Sequence, residues 1–105
     1  MATIAELNDA LRATLTGGKV VLTASVAAMG DAAREDIVDT VRAFAAFTPD
    51  NDPYGEHDCA LFDAAGHRCM FKIDYYAPDM EHGSDDPSNP AVTVRVLTIM
   101  LAGDY

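Results

Sequence analysis

The chain has 105 residues, half of them hydrophobic, and a formal net charge of −10. That length holds one domain and leaves no room for a second core. The excess of carboxylates excludes direct nucleic-acid binding and disfavours anionic membranes, because neutralising phosphate needs the opposite sign.

Ten acids (Asp50, Asp52, Glu56, Asp58, Asp63, Asp74, Asp79, Glu81, Asp85, Asp86) lie between residues 50 and 86, against Arg68 and Lys72. That puts −8 in this window and −2 in the rest. Basic proteins, or cations, are the partners such a field attracts. Met1 to Thr3 carries no basic targeting region, and the weakly polar stretch Val20 to Gly30 is too short to span a bilayer. The expectation is a cytoplasmic protein with Cys59 and Cys69 as free thiols. No C-x-x-C spacing offers a structural zinc site.

Thr3-Ile4-Ala5-Glu6 has capping-box spacing, and Ile4, Leu7, Ala10, Leu11 and Leu15 recur at helical intervals before Gly17-Gly18. A first helix is expected over residues 4–16. Residues 19–26 are β-branched and apolar and read as a strand. Asp31 suits the N-cap of a second helix, whose buried stripe is Ala33, Ile37, Val41, Phe44 and Ala45. It ends near Phe47, because Pro49 forces Thr48 toward extended geometry. Residues 48–57, with two prolines, a glycine and an asparagine, form a loop.

Strands are expected over residues 59–62 and 68–76, with Gly66 in the left-handed position of a three-residue hairpin loop. In that register Leu61 faces Cys69 and Cys59 faces Phe71. Cys59, Leu61, Cys69, Phe71 and Ile73 then share the core face, and Asp58 lies opposite Lys72 on the other. A second acidic loop covers residues 78–90. The apolar run of residues 92–102 reads as a central strand covered on both faces. The expected fold is α+β: a mostly antiparallel four-stranded sheet with two helices packed on one face, in the order α-β-α-β-β-β.

Three segments carry a resemblance: residues 48–58 (TPDNDPYGEHD), 72–76 (KIDYY) and 95–102 (RVLTIMLA). With them the chain resembles the bacterial domain-of-unknown-function family numbered 3768 over nearly its whole length. The resemblance implies a small bacterial protein and no particular activity.

The chemistry-bearing residues concentrate in the loop of residues 50–58. Asp50, Asp52, Glu56, His57 and Asp58 are oxygen and imidazole donors in a short span, and Asp50-x-Asp52-x-x-Gly55 copies the opening of a calcium loop. The copy fails at its twelfth position, Leu61, and at Tyr54, which replaces the third oxygen ligand. The structural alternative is a rigid loop whose Asp and Asn side chains bind their own backbone. His57 beside two acids is a candidate general base or ligand. Asp74, near Lys72 and within reach of Arg95, fits either a binding site or a salt-bridge ladder on the sheet. The candidate binding residues are therefore Asp50, Asp52, Glu56, His57, Asp58 and Asp74, and the candidate metal ligands Asp50, Asp52, Glu56 and His57.

The first functional reading is a small acidic protein-interaction or regulatory module that binds a basic protein through residues 50–86. The alternative is a metal-dependent or acid–base enzyme centred on residues 50–58. Neither a cofactor nor a membrane is implied. A homo-oligomer built on the sheet or the C-terminal strand is a third reading.

Overall fold

The computed structural model describes all 105 residues. Helix α1 (Ile4–Thr14) starts where its capping box places it. Glu6 N–H donates to Thr3 Oγ1 at 3.1 Å, and Thr3 N–H donates to Glu6 Oε1 at 3.0 Å. Leu15, at φ 58°, closes the helix in the left-handed region before the glycines are reached. Strand β1 (Lys19–Leu22) is shorter than expected, because Ala24–Ala27 turns into a single helical turn, α2. Helix α3 (Asp31–Ala43) follows. Gly30 is its N-cap and Asp31 its first residue, and it stops at Ala43 because Phe44 is already extended. Strands β2 (Cys59–Ala64), β3 (His67–Tyr76) and β4 (Val94–Leu101) complete the fold, and short 3-10 turns flank β4.

The sheet order is β1-β4-β3-β2. The sheet is mixed rather than mostly antiparallel: β1 runs parallel to β4, whereas the β4–β3 and β3–β2 pairs are antiparallel. Parallel pairing follows from the long excursion through α2, α3 and the hairpin that separates β1 from β4. With the extra helical turn, the order becomes α-β-α-α-β-β-β.

The hairpin register also differs from expectation by one residue. The turn is the two-residue Ala65-Gly66, both with positive φ (52° and 78°), so Ala64 faces His67, Phe62 faces Cys69 and Ala60 faces Phe71. A one-residue slip moves every side chain of β2 to the opposite face. Ala60, Phe62 and Ala64 are therefore in the core, while Cys59 and Leu61 point away from it. Asp58 does not face Lys72: its carbonyl accepts Ile73 N–H at 2.7 Å, and Lys72 Nζ pairs with Asp74 at 2.9 Å.

Phe71, Ile73, Leu97 and Ile99 meet Leu11 of α1, Val26 of α2 and Ile37 and Val41 of α3 in one core. All three helices thus serve the same face of the sheet. β4 is central as expected, but the chain lays no helix on its other face. No helix is long and apolar enough to cross a membrane.

Candidate functional site

His57 is the hub of the loop of residues 48–58. Its backbone is left-handed (φ 57°), which directs the ring back toward α1. The ring stacks on Phe47 with centroids 4.1 Å apart and planes 2° from parallel. Its Nδ1 lies 2.9 and 3.0 Å from the two oxygens of Asp9, and its Nε2 lies 3.7 Å from Asp52 Oδ2. Asp9 also takes a 2.6 Å bond from Arg12. The Arg12 guanidinium is buried over the rings of Phe47 and Phe71 and donates to the Val41 and Phe44 carbonyls at the end of α3. Its Nε alone has no partner.

Asp52 is buried for a different purpose. Its carboxylate accepts the Glu56 N–H at 3.2 Å and the His57 N–H at 3.2 and 3.3 Å, so it closes the turn from inside. These bonds hold His57 in its left-handed conformation, which a non-glycine residue adopts only when its surroundings fix it.

A second node lies beside the first. Asn8, fully buried on α1, donates to the Glu56 carbonyl at 3.0 Å and to Tyr75 Oη at 2.8 Å, and accepts from Arg95 Nε at 2.8 Å. Tyr75 Oη donates in turn to Glu56 Oε1 at 3.0 Å. Burial pushes the Tyr75 hydroxyl pKa up, and the bond to Glu56 adds to the effect. Arg95, buried over the Tyr75 ring, also donates to the Pro87 carbonyl. Burial lowers its pKa, offset in part by Tyr75 and Glu56. Ser84 N–H donates to the Tyr75 carbonyl at 3.1 Å. Asn8, Tyr75 and Arg95 therefore fasten both acidic loops, residues 48–58 and 77–93, to one end of the sheet.

The candidate residues fall into distinct settings. Asp52, Glu56 and His57 are brought together, each engaged by the fold. Asp50 lies exposed on the turn. Asp58 is half-buried, and burial raises its pKa, with Glu56, Asp52 and Asp74 adding to the rise. Asp74 is on the outer sheet face with Lys72. Arg95 does not reach it, because Asp74 pairs with Val96 in the register while Arg95 pairs with Tyr75 on the helix side. Asp50, Asp52, Glu56 and His57 do not form a compact ligand set. Such a set occurs instead at Asp79, Glu81 and His82, all exposed, with ligand atoms within 4.8 Å of one another. There Asp79 already accepts both backbone N–H groups and lies 2.8 Å from the His82 ring.

Sequence reasoning missed Asn8, Asp9 and Arg12. Their signal was present: Ile4, Asn8 and Arg12 recur every four residues alongside the apolar stripe, so two polar side chains point where burial is required.

The family described as Protein of unknown function (DUF3768) matches residues 22–104. The chain belongs to this family. The DUF3768 match takes in both loops, α2, α3 and strands β2, β3 and β4, and leaves out most of β1 and all of α1, the source of Asn8, Asp9 and Arg12. No curated protein and no solved structure matches the chain.

Proposed function

We propose that this DUF3768 protein is an acidic interaction module that binds a basic protein with the end of the sheet where its two carboxylate-rich loops meet. The observation that carries the reading is the anchoring of both loops by Asn8, Tyr75 and Arg95. The inward carboxylates, Asp9, Asp52 and Glu56, are engaged by the fold's own donors. Asp50, Asp79, Glu81, Asp85 and Asp86 remain exposed, with the Tyr54 ring 87% exposed among them. Tyrosine is enriched at interfaces, and the surrounding acidic field steers a partner of opposite charge.

The test is retention of a basic protein on the immobilised chain at low and high salt. Retention at low salt, lost in the triple variant Asp79→Lys, Glu81→Lys, Asp85→Lys and kept in the α3 variant Glu35→Lys, Asp39→Lys, supports the reading. Equal loss in both variants, or no retention at low salt, overturns it. The second reading, an acid–base or metal-dependent enzyme, draws support from a cleft of about 430 Å³ walled by Phe47, Asp52, Tyr54 and His57. A rise in melting temperature with a divalent cation, abolished by His57→Ala, would favour it.

A further inference from the structure

The strand registers fix which side chains leave the sheet on the side without helices. Cross-strand partners share a face, so Leu61, Met70 and Met100 form one row there. Cys59, Lys72, Thr98 and Val21 form the next, and Asp74, Val96 and Lys19 a third. An antiparallel sheet with one solvated face shows polar residues outward. Here β4 presents Val94, Val96 and Met100 outward, with Thr98 its single polar group. Leu61 is 51% and Val21 45% exposed. A groove of about 660 Å³ on this face is lined by Cys59, Leu61, Arg68, Met70, Ala102 and Tyr105. The central strand is thus apolar on both sides; on the outer one the chain covers Met100 (2% exposed) beside its own C-terminal turn and leaves Leu61 and Val21 open.

Charge selects what covers the other. The outer face carries Lys19, Arg68 and Lys72 against Asp63 and Asp74, a local balance of +1 on a chain of −10. Two copies approaching through any acidic surface repel each other. Through this face they meet mixed signs, with the Lys72–Asp74 pair, 2.9 Å apart, bridging two adjacent rows of the sheet.

We propose that the outer sheet face binds a second copy of the chain, face to face about a two-fold axis. An isologous contact places Lys72 of each copy over the acidic side of the other and buries Leu61, Met70 and Val96 between two sheets about 10 Å apart. The four strands hold 4, 6, 10 and 8 residues. At about 16 Å² of sheet per residue, each copy offers about 450 Å² in projection, so the pair covers about 900 Å² before side-chain relief is added. That falls below the roughly 1,200 Å² of stable interfaces and in the class of weak, transient ones, which implies a dimer that dissociates on dilution. The face is defined by the strand registers and not by the acidic loops, so the dimer stands apart from the interaction reading above, with Asn51 of the first loop bordering its groove.

Sedimentation velocity of the full chain over a concentration series tests it. The expected result is a mass rising from 11.2 kDa toward twice that value as concentration increases. Leu61→Lys and Met70→Lys should hold the chain at monomer mass with unchanged circular dichroism, while Arg42→Glu, on the helical side, should leave the dimer intact. Lys72→Glu and Asp74→Lys should each weaken association alone and restore it when mixed, an outcome that misfolding cannot produce. Three results would overturn the proposal: monomer mass at every concentration, a dimer untouched by the face variants, or native mass spectrometry showing an apolar small molecule on a monomer instead of a second copy.

Discussion

Replacing Asp52 with alanine removes the acceptor that closes the loop of residues 48–58. Two backbone N–H groups, on Glu56 and His57, lose a partner at 3.2–3.3 Å, and His57 Nε2 loses the carboxylate it faces at 3.7 Å. A buried donor left without an acceptor costs about 1–3 kcal/mol. The two amides are only partly buried, so water recovers some of this, and about 1 kcal/mol each is the appropriate end of the range. With the lost hold on the His57 ring, the total is about 2–3 kcal/mol, or a fall in melting temperature of roughly 8–20 °C for a domain of this size. Asp52→Asn keeps one oxygen acceptor and should lose about 1 kcal/mol. Urea denaturation gives the stabilities, and native-state hydrogen exchange should show the Glu56 and His57 amides losing protection first. Asp52→Ala within about 0.5 kcal/mol of the parent would refute the reasoning, since that is the scatter of an inconsequential surface change.

Asn8→Leu leaves the buried Arg95 without its 2.8 Å partner and the Glu56 carbonyl without its donor. Because Arg95 keeps the Pro87 carbonyl, a loss of about 3 kcal/mol in chemical denaturation is expected, with both loops more open to proteolysis. Gly18→Ala places a Cβ 2.7 Å from the Arg95 carbonyl oxygen and 3.2 Å from Leu11, so the turn after α1 must move off β4 at a cost of about 1–3 kcal/mol, read from a thermal melt. Burial raises the Asp58 pKa in the folded state, so the fold gains stability as pH falls through that raised value toward the ordinary carboxylate pKa. Asp58→Asn should therefore be more stable than the parent at neutral pH, with the advantage shrinking on acidification. A variant no more stable at neutral pH would contradict this. Asp79 and Asp104 act in the opposite sense: backbone and side-chain donors hold their pKa values low, so their stabilisation is complete at neutral pH and lost as acid protonates them.

Where a local interaction decides the structure, the residues announce it. The Thr3–Glu6 capping box sets the start of α1, and the long apolar run sets β4 at the centre of the sheet. Where a distant residue decides, they do not. Thr23 to Val26 reads as strand, yet Asp104 accepts from Thr23 Oγ1 at 2.8 Å and Ser25 Oγ at 2.9 Å, stabilising a helical turn from 79–81 residues away. The expected three-residue hairpin loop has Gly66 in its left-handed position. Asp36 Oδ2 accepts the Ala65 N–H at 2.8 Å, which helps Ala65 hold a positive φ that alanine rarely adopts, and the register shifts by one. The loop around Asp52 and His57 was legible as a cluster of donors, but its roles depend on Asn8, Asp9 and Arg12, more than 40 residues earlier in the chain.

The outward carboxylates of the two loops are proposed to form one binding surface at the Tyr75–Arg95 end of the sheet. Titrating a short lysine-rich peptide into the isotope-labelled full chain at low salt, and following backbone amide shifts, tests it most directly. Shifts confined to residues around Asp50, Tyr54 and Asp79 to Asp86, and abolished by salt, are the predicted result. Shifts of equal size along the acidic face of α3, from Asp31 to Asp39, would contradict the account.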